Sequence, residues 1–488
     1  MLVPQVAVAA ATVAALVGGK RLLEALAQAA AQVRSKALVW TLLLAHAAAY
    51  AVFVRLTREV FEGTAATSPA LLVAWICAGL CVPGLLVAAA FPLEGVRMIA
   101  RASGRVLLVA TLAGLAAWLV GYVLEFALQP LRSATLATVY FLLSLVRSDA
   151  IADPAASTVG AGSFAVSVAR QCSGYQGIGM IWVFLAVYLW AFRDVLRFPR
   201  SLLLVPIATA AVWLANALRV FLLVLLGAHG HEAIALGGFH RYVGALLFSA
   251  VALAVAWASN RSAYFRADVP SAAPQEGRAT AAYLMPMLAV LALALVTGAL
   301  GSGGLDRYYP LRVLAVLACL WWYRGCYGEL RATLSWHAVL TGAAVFALWV
   351  ATAQALPENP SVAAAAREFR TMAPPLAAAW LAFRLAGAIV TVPIAEELAF
   401  RGYLARRVTN RDFLAVPLTA MPWPGIIVSS LAFGALHNRI LAGSAAGLVY
   451  ALAARRRGEL SDAVIAHATT NALLAAYVLI TGNWGVWG

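Results

Sequence analysis

The chain has 488 residues, of which 64% are hydrophobic and only 11% carry a charge. This composition excludes an ordinary soluble globular domain, because so large an apolar fraction needs a lipid environment. The formal net charge of +15 would suit a nucleic-acid partner, yet the basic residues lie in short loops between apolar runs. That distribution is typical of cytoplasmic membrane loops, so we expect contact with membrane lipids and no nucleic-acid binding.

Apolar runs that could cross about 30 Å of hydrocarbon as helices recur along nearly the whole chain. They predict an all-α polytopic membrane protein with about 13 or 14 transmembrane helices in two helical bundles, joined by short extracytoplasmic loop elements. Counting the runs between basic loops places the N-terminus outside. The first run begins without basic residues, so we do not expect it to be a cleaved signal peptide. The predicted segments are 2–19, 37–54, 69–92, 104–128, 178–192, 201–228, 240–258, 281–300, 310–323, 336–356, 376–395, 425–437, 440–454 and 463–481.

The longest stretch between apolar segments, residues 130–177, is placed outside by the same count. Its run SFAVSVARQ alternates in polarity, which predicts a short strand or hairpin. The run leads into CSGYQG, where Cys172 lies among polar residues and glycines just before the next apolar segment. A cysteine that only packs in a core prefers apolar neighbours, so this setting favours a reactive thiol.

Two further side chains on the same predicted side suit a partnership with this thiol. Segment 201–228 carries Asn216 and Arg219 in its outer half, and His240 opens the segment that returns. An arginine in a membrane helix is costly unless it faces a polar site. A thiolate from Cys172 would attack a carbonyl, the arginine would hold the oxyanion, and the histidine would move protons. The alternative is that the arginine only reaches the interface and the histidine caps a helix.

The ordered set of CSGYQG, NALR and FHR resembles the exosortase/archaeosortase family of membrane transpeptidases, over about residues 1–260. The resemblance implies that Cys172 is the nucleophile, Arg219 the assisting arginine and His240 the general acid and base, with Asn216 in support. It also implies secreted protein substrates that carry a C-terminal tripartite signal, consisting of a motif of PEP type, a hydrophobic helix and a basic tail. Cleavage at the motif would end in hydrolysis or in transfer to an acceptor.

A polar stretch divides the chain. Residues 261–280 contain two prolines and are placed in the cytoplasm, so they predict a linker between domains 1–260 and 281–488. The two halves carry different motifs and show no internal repeat. The alternative outside the enzymes is a transporter or polytopic scaffold, whose charged residues in the membrane would line a permeation path. A transporter would be expected to show internal repeats.

The second half contains two adjacent glutamates at the inner end of a membrane segment, in VPIAEELAFRGYLARR. Glu397 and Arg401 are four residues apart and can pair across a helical turn. That pairing would leave Glu396 on a different face of the helix, where it is available for chemistry. Alternatively, Glu396 is a partly solvated helix end.

Two histidines and an amide follow at helical spacing. AFGALHN places His437 four residues after Phe433, and IAHATTN places Asn471 four residues after His467, so each pair shares one face of a helix. Together with Glu396 they suit hydrolysis of a peptide by an activated water, with the carboxylate as base and the His and Asn donors on the oxyanion. Ionisable groups are costly in lipid, so their joint presence indicates a site.

EELAFR, FGALH and HATTN together resemble the CAAX-protease/bacteriocin-processing family of intramembrane glutamate endopeptidases, over about residues 330–482. The resemblance implies that Glu396 is the general base and His437 its partner in activating water. The residues that would form the oxyanion hole are His467 and Asn471, and those that complete the first motif are Glu397 and Arg401. An HExxH motif and zinc-spaced Cys/His clusters are absent, so we expect no metal and no cofactor. A metal held by this glutamate and the two histidines stays open as an alternative.

Both resemblances in one chain are those of the fused exosortase/protease type, exosortase E, whose substrates carry a VPEID-like C-terminal signal. The sequence thus predicts a multi-pass protein of the bacterial inner membrane that sorts secreted proteins through a thiol site. We expect the second, glutamate-type site to open on the opposite side and to act on a remnant or a separate protein. An enzyme with only one active site is a further alternative. The acceptor, the protease substrate and the oligomeric state are left open by the sequence.

Overall fold

The computed structural model describes residues 25, 28–29, 35–62, 68–127, 129–168, 174–267, 274–302, 304–330, 335–353, 360–410, 412–437 and 439–487. Cys172 and the first predicted membrane segment, 2–19, lie outside these residues. The chain divides into two compact units, Met1–Leu128 and Gln129–Gly488, and each is described by itself.

The described part of the first unit consists of the helices α1 (Lys36–Glu62), α2 (Pro69–Ala90) and α3 (Leu93–Ala127). Helix α2 begins where the Ser68 hydroxyl accepts the backbone N–H of Leu71, with Pro69 in the first turn. A hydroxyl at this place satisfies an N–H that would otherwise lack a partner, and proline there loses no hydrogen bond. Helices α1 and α2 pack through Phe53 and Trp75, whose rings stack at 5.9 Å.

The second unit begins with α4 (Gln129–Ser144), β1 (Ala150–Asp153), β2 (Thr158–Ala161), β3 (Phe164–Ser167), α5 (Tyr175–Ala191), α6 (Leu204–Ala228) and α7 (Glu232–Arg261). Strand β2 pairs antiparallel with both neighbours, so that Gly160 lies opposite Ile151 on one side and Ala165 on the other. Strand β3 lies in SFAVSVARQ, which confirms the predicted strand. Buried Val159 and Ala161 pack this small sheet against apolar residues of α4 and α6.

The rest of the second unit consists of α8 (Pro274–Ala299), α9 (Tyr309–Trp322), α10 (Trp336–Ala353), α11 (Pro360–Arg370), α12 (Pro374–Arg407), α13 (Trp423–Ala435), α14 (Ile440–Arg457) and α15 (Leu460–Thr481). One apolar core contains buried residues of α8, α10, α12, α13, α14 and α15. Helix α12 includes two π-helical stretches, Gly387–Thr391 and Leu398–Leu404. Such stretches widen a helix locally and are frequent at functional sites.

The helices confirm an all-α polytopic membrane protein. Seven helices among the described residues are long and apolar enough to cross a membrane, and four shorter apolar helices accompany them. Every predicted segment after the first coincides with a helix. Helix α13 has 13 residues and therefore rises only about 20 Å, less than the roughly 30 Å of a hydrocarbon core. The predicted segment 425–437 is thus as short in the structure as in the sequence.

The predicted linker is partly helical. Helix α7 ends at Arg261 and α8 begins at Pro274, inside the stretch predicted as the linker. The residues directly after α7 pair with the loop that follows α5, through Arg197 N to Phe265 O at 2.7 Å and Ala267 N to Val195 O at 2.8 Å. The connection is therefore anchored where it leaves α7.

Candidate active sites

Two of the three side chains predicted for the thiol site lie together in the structure. Arg219 on α6 donates through Nη1 to the backbone carbonyl of His240, at 3.4 Å. Its Nε is buried and has no hydrogen-bond partner among the described residues. A Cβ at Gly244 on α7 would lie 3.3 Å from the same Nη1, so glycine leaves room for the guanidinium. The third side chain, Cys172, lies outside the described residues.

The described residues on either side of that undescribed segment are held by neighbouring helices. Before it, the carbonyl of Val168 accepts a hydrogen bond from Arg132 Nε of α4, at 2.7 Å. After it, Gly174 adopts a φ of +96°, which favours glycine. A Cβ at Gly174 would also approach Asn216 Nδ2 to 3.3 Å. The predicted supporting Asn216 therefore lies beside the chain that leads out of the undescribed segment.

Arg219 lines two cavities, one beside Val168 and the other beside Gly174. One, of about 320 Å³, is lined by residues 165–168 in and directly after β3, and by Arg219 and His240 among others. The other, of about 100 Å³, is lined by Gly174, Asn216 and Arg219 among others. The side chain that carries this Nε therefore lines both cavities, a position that suits the binding of an anion.

The start of α7 is fastened to the second half of the chain. Residues 235–239 form a π-helical turn directly before His240, and the backbone N–H of Gly238 donates to the Gly301 carbonyl at 2.9 Å. A side chain at Gly238 would collide with the carbonyl of Gly298 at the end of α8. Only glycine allows the two backbones to approach this closely. The position of His240 therefore depends on the connection between α8 and α9.

The second site is built on α12. Glu397 and Arg401 form an ion pair of 3.1 Å, and both side chains are fully buried. Arg401 also donates to the Gly447 carbonyl of α14 at 2.7 Å and lies 4.5 Å from the centre of the Phe433 ring. The predicted pairing across a helical turn is confirmed, and it links α12 to α13 and α14.

His467 on α15 contacts both glutamates. Its Nδ1 lies 2.9 Å from Glu397 Oε1, and its Nε2 lies 3.9 Å from Glu396 Oε2. Because Glu397 also accepts from Arg401, we assign Nδ1 as the donor, and Nε2 then faces Glu396. Tyr450 stacks on the imidazole at 4.9 Å, which fixes the plane of the ring. Sequence reasoning missed Tyr450, since nothing in its local sequence distinguishes it from a core tyrosine.

The other two predicted side chains face the same space. His437 follows α13, and its Nδ1 hydrogen-bonds the Phe433 carbonyl at 2.8 Å. Asn471, one turn after His467, donates through Nδ2 to the Ala388 carbonyl of α12 at 2.7 Å. Helix α13 ends within the bundle, so the histidine that follows it reaches the other three residues.

A cavity of about 160 Å³ brings the four residues together. Its lining includes Glu396, His437, His467 and Asn471. Glu396 is only 7% exposed, and its Oε2 has no hydrogen-bond partner among the described residues. A buried carboxylate oxygen without a partner is costly, and a cavity of this size has room for water. Within the described part of the chain, no group of three His, Cys, Asp or Glu residues has the arrangement of a metal site.

The extent of this cavity bears on the prediction that the two sites open on opposite sides, which stays a prediction. The lining extends from Glu396 along α12 to Arg384 and to Trp487 near the C-terminus. Arg384 donates to Tyr309 at the start of α9. Tyr309 directly follows the connection between α8 and α9. The same connection contains Gly301, whose carbonyl accepts the N–H of Gly238, two residues before His240. The cavity therefore runs toward the end of the bundle where His240 lies.

Two family models match the chain. The model described as transmembrane exosortase (EpsH) matches residues 5–257, which is more than half of the chain. The model described as type II CAAX prenyl endopeptidase Rce1-like matches residues 378–473. The first range contains Arg219 and His240, and the second contains the four residues around the cavity. Neither a curated protein nor a solved structure matches the chain.

Proposed function

Because the chain belongs to the transmembrane exosortase family and also carries a Rce1-like CAAX protease domain, it is a multi-pass membrane peptidase, and we propose that it cuts peptides at two separate sites. The thiol site would belong to domain 1–260 and the glutamate site to domain 281–488, with the linker between them. The substrates of the first site would be secreted proteins with the tripartite C-terminal signal, in the VPEID-like form. The protein would act in the bacterial inner membrane.

At the thiol site, the thiolate of Cys172 would attack the carbonyl carbon of the scissile peptide bond. The developing oxyanion would be held by Arg219, whose Nε has no hydrogen-bond partner in the described part of the chain and whose side chain lines two cavities. His240 would take the proton of the Cys172 thiol, donate it to the departing amine and then activate the water or amine that resolves the thioester. Asn216 would support the turn that carries the thiol, since it lies against Gly174.

At the glutamate site, Glu396 would take a proton from water while the water oxygen attacks the peptide carbonyl. His437 uses Nδ1 on the Phe433 carbonyl, which leaves Nε2 to accept the second hydrogen of that water. Asn471 would donate to the oxyanion through Nδ2, and His467 would donate through Nε2–H as an imidazolium that keeps Nδ1–H on Glu397. Glu396 would return the proton to the leaving amine. Glu397 is a positioning residue that orients His467 and is itself held by Arg401.

The observation that carries the proposal is the convergence of four side chains from three parts of the fold on one cavity, with a buried glutamate oxygen that accepts no hydrogen bond from any described residue. Protein architecture alone gives no reason to bury such an atom, whereas a general base requires it to be free for water.

The test is the processing of a secreted reporter that ends in a C-terminal sorting signal. We would express it with the wild type, Cys172→Ala and Glu396→Gln, and read the product termini by mass spectrometry. Cys81→Ala and Glu59→Gln are the matched controls, because both side chains are exposed and far in sequence from either site. We expect uncut signal only with Cys172→Ala, and loss of a second cleavage only with Glu396→Gln. Normal processing by Cys172→Ala would refute the thiol mechanism.

A further inference from the structure

The cavity of the glutamate site has a cation at the end remote from the catalytic groups. Its lining on α12 consists of Arg384, Ala388, Val392 and Glu396, which are four residues apart and share one face of the helix. Arg384 thus lies at one end of this row and the proposed general base at the other. The cavity offers a substrate a positive group at a fixed distance from the site of cleavage.

The contacts of Arg384 are with neutral groups. Its Nη1 donates to the Tyr309 hydroxyl at 3.1 Å, and its guanidinium lies 4.9 Å from the Tyr309 ring and 4.8 Å from the Trp487 ring. Two aromatic rings hold the guanidinium plane in place. Only one of its five N–H donors is used in these contacts.

The carboxylates nearest in the fold are already paired. Asp306 forms an ion pair with Arg312 and accepts from the Thr297 hydroxyl. Glu368 pairs with Arg307 at 2.7 Å and accepts the Leu305 N–H. Over the residues that the structure describes, no carboxylate lies within ion-pair distance of Arg384. A charged side chain in an apolar helix is expensive to keep without a counter-charge, and such residues typically mark a ligand path.

We propose that Arg384 binds a carboxylate of the peptide that is cut at Glu396, which makes it a specificity-determining residue. This inference rests on the proposed function of the glutamate site. The guanidinium presents a planar fork that matches a carboxylate, and the rings of Tyr309 and Trp487 reduce the freedom that it loses on binding. The carboxylate is either the C-terminal α-carboxylate of the substrate or the side chain of an Asp or Glu.

The helix gives an upper limit for the spacing between the bound carboxylate and the scissile bond. Arg384 and Glu396 are twelve residues apart in one helix, which corresponds to at most about 18 Å along its axis at about 1.5 Å per residue, since the π-helical stretch Gly387–Thr391 lies between them. An extended peptide advances about 3.3 Å per residue. The carboxylate is therefore expected within about five residues of the bond that is cut.

The test uses the purified full chain in lipid nanodiscs and amidated Ala/Leu decapeptides with a fluorescent label. One peptide carries a single Glu, its twin carries Gln, and a third has a free C-terminus in place of the amide. Cleavage is followed by mass spectrometry, and binding to the Glu396→Gln protein by fluorescence anisotropy. Arg384→Gln is the test variant, Arg384→Lys the conservative one, and Arg367→Gln the control, since Arg367 is exposed on α11.

We expect the wild type to prefer one of the two acidic peptides over the neutral twin, with a cut within about five residues of the carboxylate. Arg384→Gln should remove that preference by raising KM roughly ten- to hundredfold for the acidic peptide alone, the range of a charge-assisted hydrogen bond. Arg384→Lys should retain part of it, and Arg367→Gln all of it. The carboxylate that Arg384 binds is identified by the peptide whose KM rises in Arg384→Gln. This is the side chain for the Glu peptide and the α-carboxylate for the peptide with a free C-terminus.

An equal loss for acidic and neutral peptides in Arg384→Gln would overturn the inference, because it would indicate a structural role. Equal binding of all three peptides to the Glu396→Gln protein would overturn it as well. If that protein binds the acidic peptide through Arg384 but the wild type cuts nothing, the proposed proteolysis fails and the anion site stands.

Discussion

Removing the charge of Glu397 is expected to destabilise the protein far more than removing the charge of an exposed glutamate that also lies four residues from its arginine partner. Glu397 and Arg401 are four residues apart, 3.1 Å from each other and fully buried. Glu397→Gln leaves the guanidinium of Arg401 buried without a counter-charge, and it also weakens the hydrogen bond to His467. Losing one partner of a buried pair typically costs about 3–5 kcal/mol.

The structure provides a matched control on α1. Arg55 and Glu59 are also four residues apart, at 3.2 Å, but their side chains are 82% and 48% exposed. Exposed pairs of this kind contribute about 0–1 kcal/mol, so Glu59→Gln should change little. The comparison therefore varies burial while it keeps residue types, spacing and distance almost constant.

The assay is reversible denaturant unfolding of the full chain in detergent, with the free energy of unfolding taken from linear extrapolation. We expect Glu397→Gln to lower that free energy by about 3 kcal/mol or more relative to Glu59→Gln. Equal shifts in the two variants would refute the reasoning, since the cost is assigned to the buried guanidinium. A parallel assay of peptide cleavage should show lost turnover in Glu397→Gln at temperatures where the protein is still folded.

Two further predictions concern the thiol site and the side on which the sites open. Gly174→Ala should impair signal cleavage more than Gly230→Ala does. Both glycines have a positive φ, but only a Cβ at Gly174 would meet a neighbour, the Asn216 amide at 3.3 Å. Equal effects of the two variants on cleavage of the reporter would contradict this. Ser302, Asn483 and Arg456 are exposed, and Arg456 lies at the C-terminal end of α14, at the other end of the bundle from the first two. Ser302→Cys and Asn483→Cys should react with an impermeant maleimide from the same side of sealed vesicles, and Arg456→Cys should react from the other side. Labelling of the first two from different sides would overturn the common orientation of the two sites.

Much of the glutamate site could be predicted from the sequence. The periodicity of a helix is local, so a spacing of four residues places Glu397 beside Arg401 and His467 on the same face as Asn471. The cost of ionisable groups in lipid indicates that such residues share a site. The structure brings Glu396, His467 and Asn471 into one cavity, as these local rules require.

Other features depended on which helices become neighbours. Tyr450 lies on the helix before that of His467, and its ring stacks on that imidazole only because the two helices pack side by side. Arg384 is one of many arginines in the sequence, and only the fold places it at the end of the cavity. The close approach of Gly238 to Gly301 joins the two halves across the connection between them. No local pattern encodes such contacts, because each depends on the packing of segments that are distant in the chain.

The sequence by itself therefore determined the membrane class, the helices and the candidate residues of both sites, since apolar length and helical spacing are properties of a single segment. Only the tertiary structure decided that one buried oxygen of Glu396 has no hydrogen-bond partner among the described residues, that Arg219 lines two cavities and that the cavity of the second site runs toward the end of the bundle that holds His240. These features depend on the relative depth and direction of packed helices. Depth and direction arise from side-chain contacts among the whole bundle rather than from any one segment.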